Sequence, residues 1–594
     1  MNKEWSLDVI FQGFDDPEYE KTIKNLQENI DLAKIYAEEL EALDQSKQTL
    51  EEQVKNVKKI IEIQEKIQVL VENLFNYASL KTEANTMDAQ AGAQLSRVSQ
   101  MYAEVSAPYT KMKAYIASLE TLQQVIEADE VLKEYEYLLT NIQKDAKHML
   151  SSEVEEVMAK LNESSAGAWE KMHSYLTSTV KVPYEGKTET LSSIRNKAYE
   201  TSRGVRKSAY EAEIKAYDKV KDAIAFSLNS IKMQNITVTK LRGFTSPLER
   251  TLYESRMDRT TLDAMFSAID EYLPKFHAYL KCKAKKLGYE NGLPWYEIYA
   301  PMGTEGRTFT AEEAGEYLIS HFEKFDTDLS DMIRRAFEEQ WIDFYPREGK
   351  VGGAFCAELP PQKESRILTN FAGSFGDVVT LAHELGHAFH NLNLVSNRPL
   401  NNEISMQLAE TASTFNENVI TAAAIAEATT KEEKLHLIEN QLQDATQVIC
   451  DIYSRYLFET AVFEKRPNEF LYADDLCALM VEAQKKAFAD GLEEATLHPY
   501  MWLCKGHYYS ASLSFYNFPY AFGALFARGL YVNYQKQGKP FIQKYRKMLE
   551  KTPLMCAEDA AKIVGVDLRT KDFWREALQS FSDEIDEFIA LCEA

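Results

Sequence analysis

The sequence predicts a mainly α-helical fold with a small β-sheet beside one histidine-bearing helix, and three observations predict it. From Glu18 to about Glu153 the chain holds one proline, Pro108, and one glycine, Gly92, while Leu, Ile, Val, Ala and Tyr recur at three- and four-residue spacing among Glu, Lys and Gln. That is the period of amphipathic helices. Past residue 400 the same pattern returns and runs almost to the end. Strand-like segments are few, and two of them stand together just before a helix that carries three histidines.

The N-terminal run, typified by "LEEQVKNVKKIIEIQEKIQVLVENLFNYASL" (50–80), predicts long helices packed antiparallel, in the manner of a coiled-coil hairpin with no catalytic residue. "NESSAGAW" (162–169) is loop-like, and "YLTSTVKVPYEGKTET" (175–190) alternates like a short strand pair with Pro183 and Gly186 at its end. Helical periodicity resumes over 193–233, which places a boundary near 185 between an N-terminal helical domain (1–185) and a second domain (186–594). Strands are expected at "GLPWYEIYAP" (292–301), "GKVGGAFCAEL" (349–359) and "SRILTNFAG" (365–373), the last two joined by "PPQKE".

Composition excludes several classes of function. With 45% hydrophobic and 27% charged residues in 594, this is the make-up of a soluble globular chain. A formal net charge of −25 leaves no basic surplus for a nucleic-acid partner. The seven cysteines are scattered without a CxxC pair, which argues against a disulfide framework and for a reducing compartment. The N-terminus lacks the apolar core of a signal peptide, and "VITAAAIAEA" (419–428) is too short to span a bilayer. The expectation is a cytoplasmic protein with no membrane partner.

The chemistry concentrates in "TLAHELGHAFH" (380–390). HExxH on a helix sends the imidazoles of His383 and His387 from one face, where both can reach a single metal ion at about 2.0–2.1 Å. Glu384, next to the first ligand, is placed to take a proton from a metal-activated water. Gly386 lowers helix propensity by roughly 1 kcal/mol relative to Ala, so another backbone is expected to come close there. His390 lies on the same face. A metzincin would need its third histidine at position 393, which is Asn, so His390 is assigned to packing or support behind the ligands.

A third ligand is expected from "NNEISMQLAETASTFNENVITAAA" (401–424), read as one helix capped by Asn401 or Asn402. Glu403, Glu410 and Glu417 recur every seven residues on one face. Glu403 suits the first turn, where a carboxylate meets the helix dipole. Glu410 sits among Ala409, Ala412, Ser413 and Thr414, small side chains that let a second helix approach, and is preferred as the ligand. Glu417 is the candidate to brace a histidine through its other nitrogen.

Read in order, "RGVRKSAYEA" (203–212), "GGAFCAEL" (352–359), "ILTNFAGSFGDVVTLAHELGHAFH" (367–390), "AETASTFNE" (409–417) and "FYNFPYAFG" (515–523) resemble the oligoendopeptidase F branch of the M3 family of zinc metallopeptidases, a likeness that covers most of the chain. The resemblance implies a helical fold of two halves enclosing a deep substrate channel walled by the N-terminal helices, one Zn2+ held by His383, His387 and Glu410, and cleavage of oligopeptides. It also implies a histidine and tyrosines over the scissile bond. His507, Tyr516 and Tyr520 match best, with Tyr509 as a further peptide contact, although their spacing departs from that of thimet-type relatives. Gly352, Gly353 and Ala354 open a strand whose edge can pair with an extended peptide, or else form a simple hairpin turn. The leading expectation is a zinc endopeptidase. A helical zinc carboxypeptidase and an inactive peptide-binding scaffold are the alternatives.

Overall fold

Asp16 opens the first long helix, Pro17–Glu41: its carboxylate accepts the Glu18 N–H, and Pro17 occupies the first turn, where its missing N–H costs nothing. Thr49 and Glu52 close a reciprocal capping box over the second, Leu50–Ala84. The computed structural model describes residues 3–304 and 306–593. Helices dominate it, and the strands among the described residues are β1 (Val182–Tyr184), β2 (Lys187–Glu189), β3 (Ile342–Asp343), β4 (Phe355–Leu359) and β5 (Glu364–Leu368).

The chain folds into two compact units that interleave along the sequence. One comprises residues 1–149, 307–420 and 537–564, and the other 150–306, 421–536 and 565–594. The boundary expected near 185 falls inside the second unit. The reason lies in the core of the first unit, where Leu26, Ile30, Ile60, Ile67 and Leu74 of the two long helices pack with Leu359 of β4, and Phe355, Ala357 and Leu400 lie against them. The N-terminal helices and the sheet thus exclude water from one shared interior. They do not form a free-standing coiled-coil hairpin. Shorter helices, among them Ala89–Ala103 and Ser106–Ser118, complete the layer.

The sheet of the first unit runs β3-β5-β4, with β3 parallel and β4 antiparallel to β5. Phe355 pairs with Leu368 and Leu359 with Glu364, so β4 is an edge strand. The turn between β4 and β5 is made by Pro360–Gln362 and by Lys363, whose φ is 56°. Gly352 and Gly353 therefore precede β4 and are not the hairpin turn. The helix Phe375–Leu394 packs on β4 and β5, as expected of a sheet beside the histidine helix.

In the second unit β1 and β2 form the expected hairpin, turning at Glu185 and Gly186, although residues 166–179 before it are helical. The expected strand at 292–301 is absent. Leu293 makes one isolated bridge to Leu492, and Trp295–Glu297 is a 3-10 turn after Pro294. A core of helical side chains that includes Tyr217, Leu228, Phe458, Trp502 and Tyr508 fills the unit.

Candidate metal centre

Ser374 and Asp377 form a capping box that starts the HExxH helix, Phe375–Leu394, nine residues before its first histidine. The second element differs from the expectation. Residues 401–424 are not one helix: Asn401 ends a 3-10 turn, 402–405 are irregular, Met406–Ala409 is a single turn, and Thr411–Glu427 is the long helix. Neither Asn401 nor Asn402 opens a helix: Asn402 only caps the end of the 3-10 turn, Ser405 precedes Met406–Ala409, and Glu403 is an exposed loop residue. Glu410 stands at the junction of the two helical pieces, with φ −90° and ψ 9°.

The two elements meet at Gly386. A Cβ built there would lie 2.5 Å from Ser413 Cα and 2.6 Å from Ala412 O, distances no side chain tolerates. This is the close backbone anticipated from Gly386, and Asn416 reinforces it by donating to Ala382 O at 3.2 Å. The contact carries Glu410 and Glu417 onto the two histidines.

The resulting triangle is regular. His383 Nε2 and His387 Nε2 each lie 3.2 Å from Glu410 Oε2, and 3.2 Å from one another. Ligand atoms around a tetrahedral ion with bonds of about 2.0 Å are separated by about 3.3 Å, so these three fit one zinc-sized ion and leave a fourth position. Glu417 Oε1 stands 2.5 Å from His383 Nδ1, which it holds as the N–H donor, so that Nε2 turns its lone pair to the triangle. Ser413 Oγ donates to Glu410 Oε2 at 2.8 Å.

Electrostatics favour a cation here. Burial would depress the His383 imidazolium, yet Glu410 and Glu417 outweigh it and raise the group to about 10. Burial pushes the Glu410 carboxyl up, but hydrogen bonds from both histidines hold it below the carboxylate range. Glu384 is buried, and desolvation raises its pKa, with the histidines opposing. A carboxylate so poised is a stronger base than one in water.

His383, Glu384, His387 and Glu410 line a cleft of about 550 Å³ together with Ala354, Phe355, Cys356, Glu358, Asn391 and Glu403. Gly352 and Gly353 have open space where a side chain would be, and Gly353 has φ 82°, a conformation that favours glycine. Asn370 donates to the carbonyls of Val351 and Gly353 and holds the approach to β4. Glu358 escaped the sequence reading, since a lone acid on a strand carries no spacing signal.

Of the remaining expectations, His390 is buried and turned to other partners: its Nε2 meets Thr552 Oγ1 at 2.8 Å and Leu549 O at 3.3 Å, and burial lowers its pKa to about 3. It is a packing residue. In the second unit, His507, Tyr516 and Tyr520 form one ring cluster, with His507 centroids 5.1 Å from Tyr516 and 5.8 Å from Tyr520. Tyr509 does not join it. Its ring is buried and stacked on His173 at 3.6 Å, and its hydroxyl donates to Trp502 O, so the expected peptide contact is withdrawn.

The profile of peptidase family M3 matches residues 197–580, nearly two thirds of the chain and the whole metal centre, and the oligopeptidase F N-terminal profile matches 117–181. The chain belongs to peptidase family M3. It is a metalloendopeptidase. Among curated M3 relatives, oligopeptidase PepF of Bacillus subtilis is 24% identical over 535 residues, covering 88% of this chain and 79% of that protein. Group B oligopeptidase PepB of Streptococcus agalactiae is 25% identical, covering 98% and 96%. The M3 fold is equally plain in solved structures. A Chlamydophila abortus protein gives a TM-score of 0.84 at 18% identity, covering 99% of this chain and 98% of that one. Oligoendopeptidase-F of Enterococcus faecium gives 0.70 at 19% identity, covering 97% and 98%. No helix among the described residues is long and apolar enough to cross a membrane.

Proposed function

We propose that this peptidase is a zinc-dependent oligopeptidase of the cytoplasm that cuts internal bonds of short peptides, with Glu384 as its general base. The observation that carries the reading is the 3.2 Å triangle of His383 Nε2, His387 Nε2 and Glu410 Oε2 with the buried Glu384 beside it. His383, His387 and Glu410 hold the ion, and Glu417 fixes the His383 tautomer. When bound, zinc supplies a Lewis acid that polarises the scissile carbonyl and acidifies water.

The chain's own residues do the rest. Glu384 takes the proton of the attacking water and returns it to the leaving amine. The free edge of β4, entered through Gly352, Gly353 and Ala354, binds the peptide backbone as an added strand, which gives affinity without demanding a sequence. His507, Tyr516 and Tyr520 donate to the developing oxyanion, a role that rests on the family resemblance and on their gathering into one cluster. Oligopeptides are the substrate class borne in the names of the relatives, and the seven free thiols suit a reducing compartment.

Glu384→Gln tests the assignment. Zinc content should stay at one ion per chain, and turnover of an internally quenched peptide should fall by about a thousandfold or more. An active Glu384→Gln enzyme overturns the general-base role. Amidating the peptide C-terminus should leave internal cleavage intact, and its loss would point to a carboxypeptidase instead.

A further inference from the structure

The second unit holds a pocket of about 180 Å³ that the peptidase chemistry does not use. A single water occupies roughly 10–15 Å³ on the same measure, so the space suits an organic molecule and is far larger than an inorganic anion needs. One wall is aromatic, with the Tyr199 and Tyr299 rings 4.8 Å apart and Trp295 alongside. The lining also holds charged residues, and its carboxylates are already matched. Glu213 pairs with Arg195 at 2.7 Å and accepts the Tyr217 hydroxyl, and Asp451 pairs with Arg455. Arg206 is met by Glu297 at 2.5 Å. Lys505, also in the lining, makes no ion pair of its own with a described carboxylate; the Asp451 it is drawn to is already paired with Arg455.

We propose that this pocket binds an organic monocarboxylate, its carboxylate on Lys505 and its apolar body against Tyr199, Tyr299 and Trp295. Burial, with Arg455 beside it, holds the Lys505 ammonium below the ordinary lysine range despite the pull of Asp451, so a further anion set against it relieves a standing cost. Lys505 is also the residue from which the 3-10 turn Gly506–Tyr509 starts. An anion that fixes the ammonium fixes the root of the segment carrying His507. The carboxylate belongs to a free small acid or to the C-terminus of a peptide, and the two share this chemistry.

Calorimetric titration of the zinc-loaded, full-length enzyme tests the proposal. N-acetylphenylalanine should bind, and its amide should bind about tenfold more weakly or worse, as loss of a charge-assisted contact requires. Lys505→Met should weaken the acid by about tenfold, while Lys505→Arg keeps it within about threefold. A capped tripeptide ending in phenylalanine, titrated in the Glu384→Gln background so that it is not cut, separates the sources: tighter binding than the single residue assigns a peptide terminus, and equal or weaker binding a free acid. Equal affinity for acid and amide, unchanged affinity in Lys505→Met, or no binding of the acid at low millimolar concentration overturns it. The acid-to-amide comparison uses unmutated protein, so it stands even where a variant fails to fold.

Discussion

Gly386 and Ser413 meet backbone against backbone, so closely that a methyl group on Gly386 would stand 2.5 Å from Ser413 Cα. The helix bearing both histidines is thereby pressed onto the start of the helix Thr411–Glu427, which carries Glu417 and has Glu410 just before it, and the triangle of His383, His387 and Glu410 is a consequence of that contact. Gly386→Ala gains helix propensity but cannot keep the distance. The expected outcome is a separated pair of helices, zinc content well below one ion per chain, and a stability loss of about 1–3 kcal/mol or more from overpacking. Elemental analysis and thermal unfolding measure both, and a variant with full zinc would show that the contact can relax without moving the ligands.

Glu417 meets the outer nitrogen of His383 at 2.5 Å, and on the proposed reading it thereby sets which nitrogen would face the ion. Glu417→Gln keeps the size and removes the charge. Zinc affinity should fall by about 10–100-fold while the fold is retained, the range found when partners behind a metal ligand are removed. Competition with a chelating dye gives the constant. A drop as large as that of Glu410→Ala would mean that Glu417 is itself a ligand.

Much of this site could be read along the chain, because its parts are local. His383, Glu384 and His387 need only helical spacing, and Gly386 announces a neighbour by its cost. The spacing of Glu403, Glu410 and Glu417 singled out two carboxylates, Glu410 and Glu417, that the fold brings to the histidines, but misjudged their setting, since the seven-residue repeat hides the break at Glu410. The interleaving of the two units was illegible, because it depends on Leu359 and Leu400 packing with helices more than 200 residues away in sequence. The alternation of 292–301 misled for a related reason: Pro294 and a partner at Leu492 allow one bridge and no ladder.

Glu459 organises the loop that carries Tyr516. Its carboxylate is buried, pairs with buried Lys232 at 2.6 Å, and accepts from Phe515 N and Asn517 Nδ2 on either side of the tyrosine. Phe515 has φ 55°, unusual for a bulky residue, and these bonds hold it there. Glu459→Gln leaves the Lys232 charge buried without a counter-charge, and the expected loss is about 3–5 kcal/mol. The double variant Lys232→Met/Glu459→Gln should recover part of it, because the stranded charge is gone. Denaturant unfolding of the single and double variants checks this, and additive losses would contradict it.

Glu358 lies in the cleft on β4 with no described cation paired to it. Burial, and then the nearby Glu72 carboxylate, raise its pKa from 4.5 to about 7. A group that holds its proton more tightly in the folded chain stabilises the fold below its unfolded pKa, and that contribution is lost as pH rises through the folded value. The window is therefore pH 4.5 to about 7. Glu358→Gln imitates the protonated side chain at every pH, so it should match wild type at pH 4.5 and exceed it at pH 8. Because the carboxylate borders an open cleft, the full shift is discounted for solvent, and the expected gain is on the order of 1–2 kcal/mol. Comparing variant and wild type at the same pH cancels any shared loss of metal in acid. A variant no more stable at pH 8 than at pH 4.5, relative to wild type, would place the Glu358 carboxylate in water and not in the half-buried, acid-flanked position that the cleft gives it.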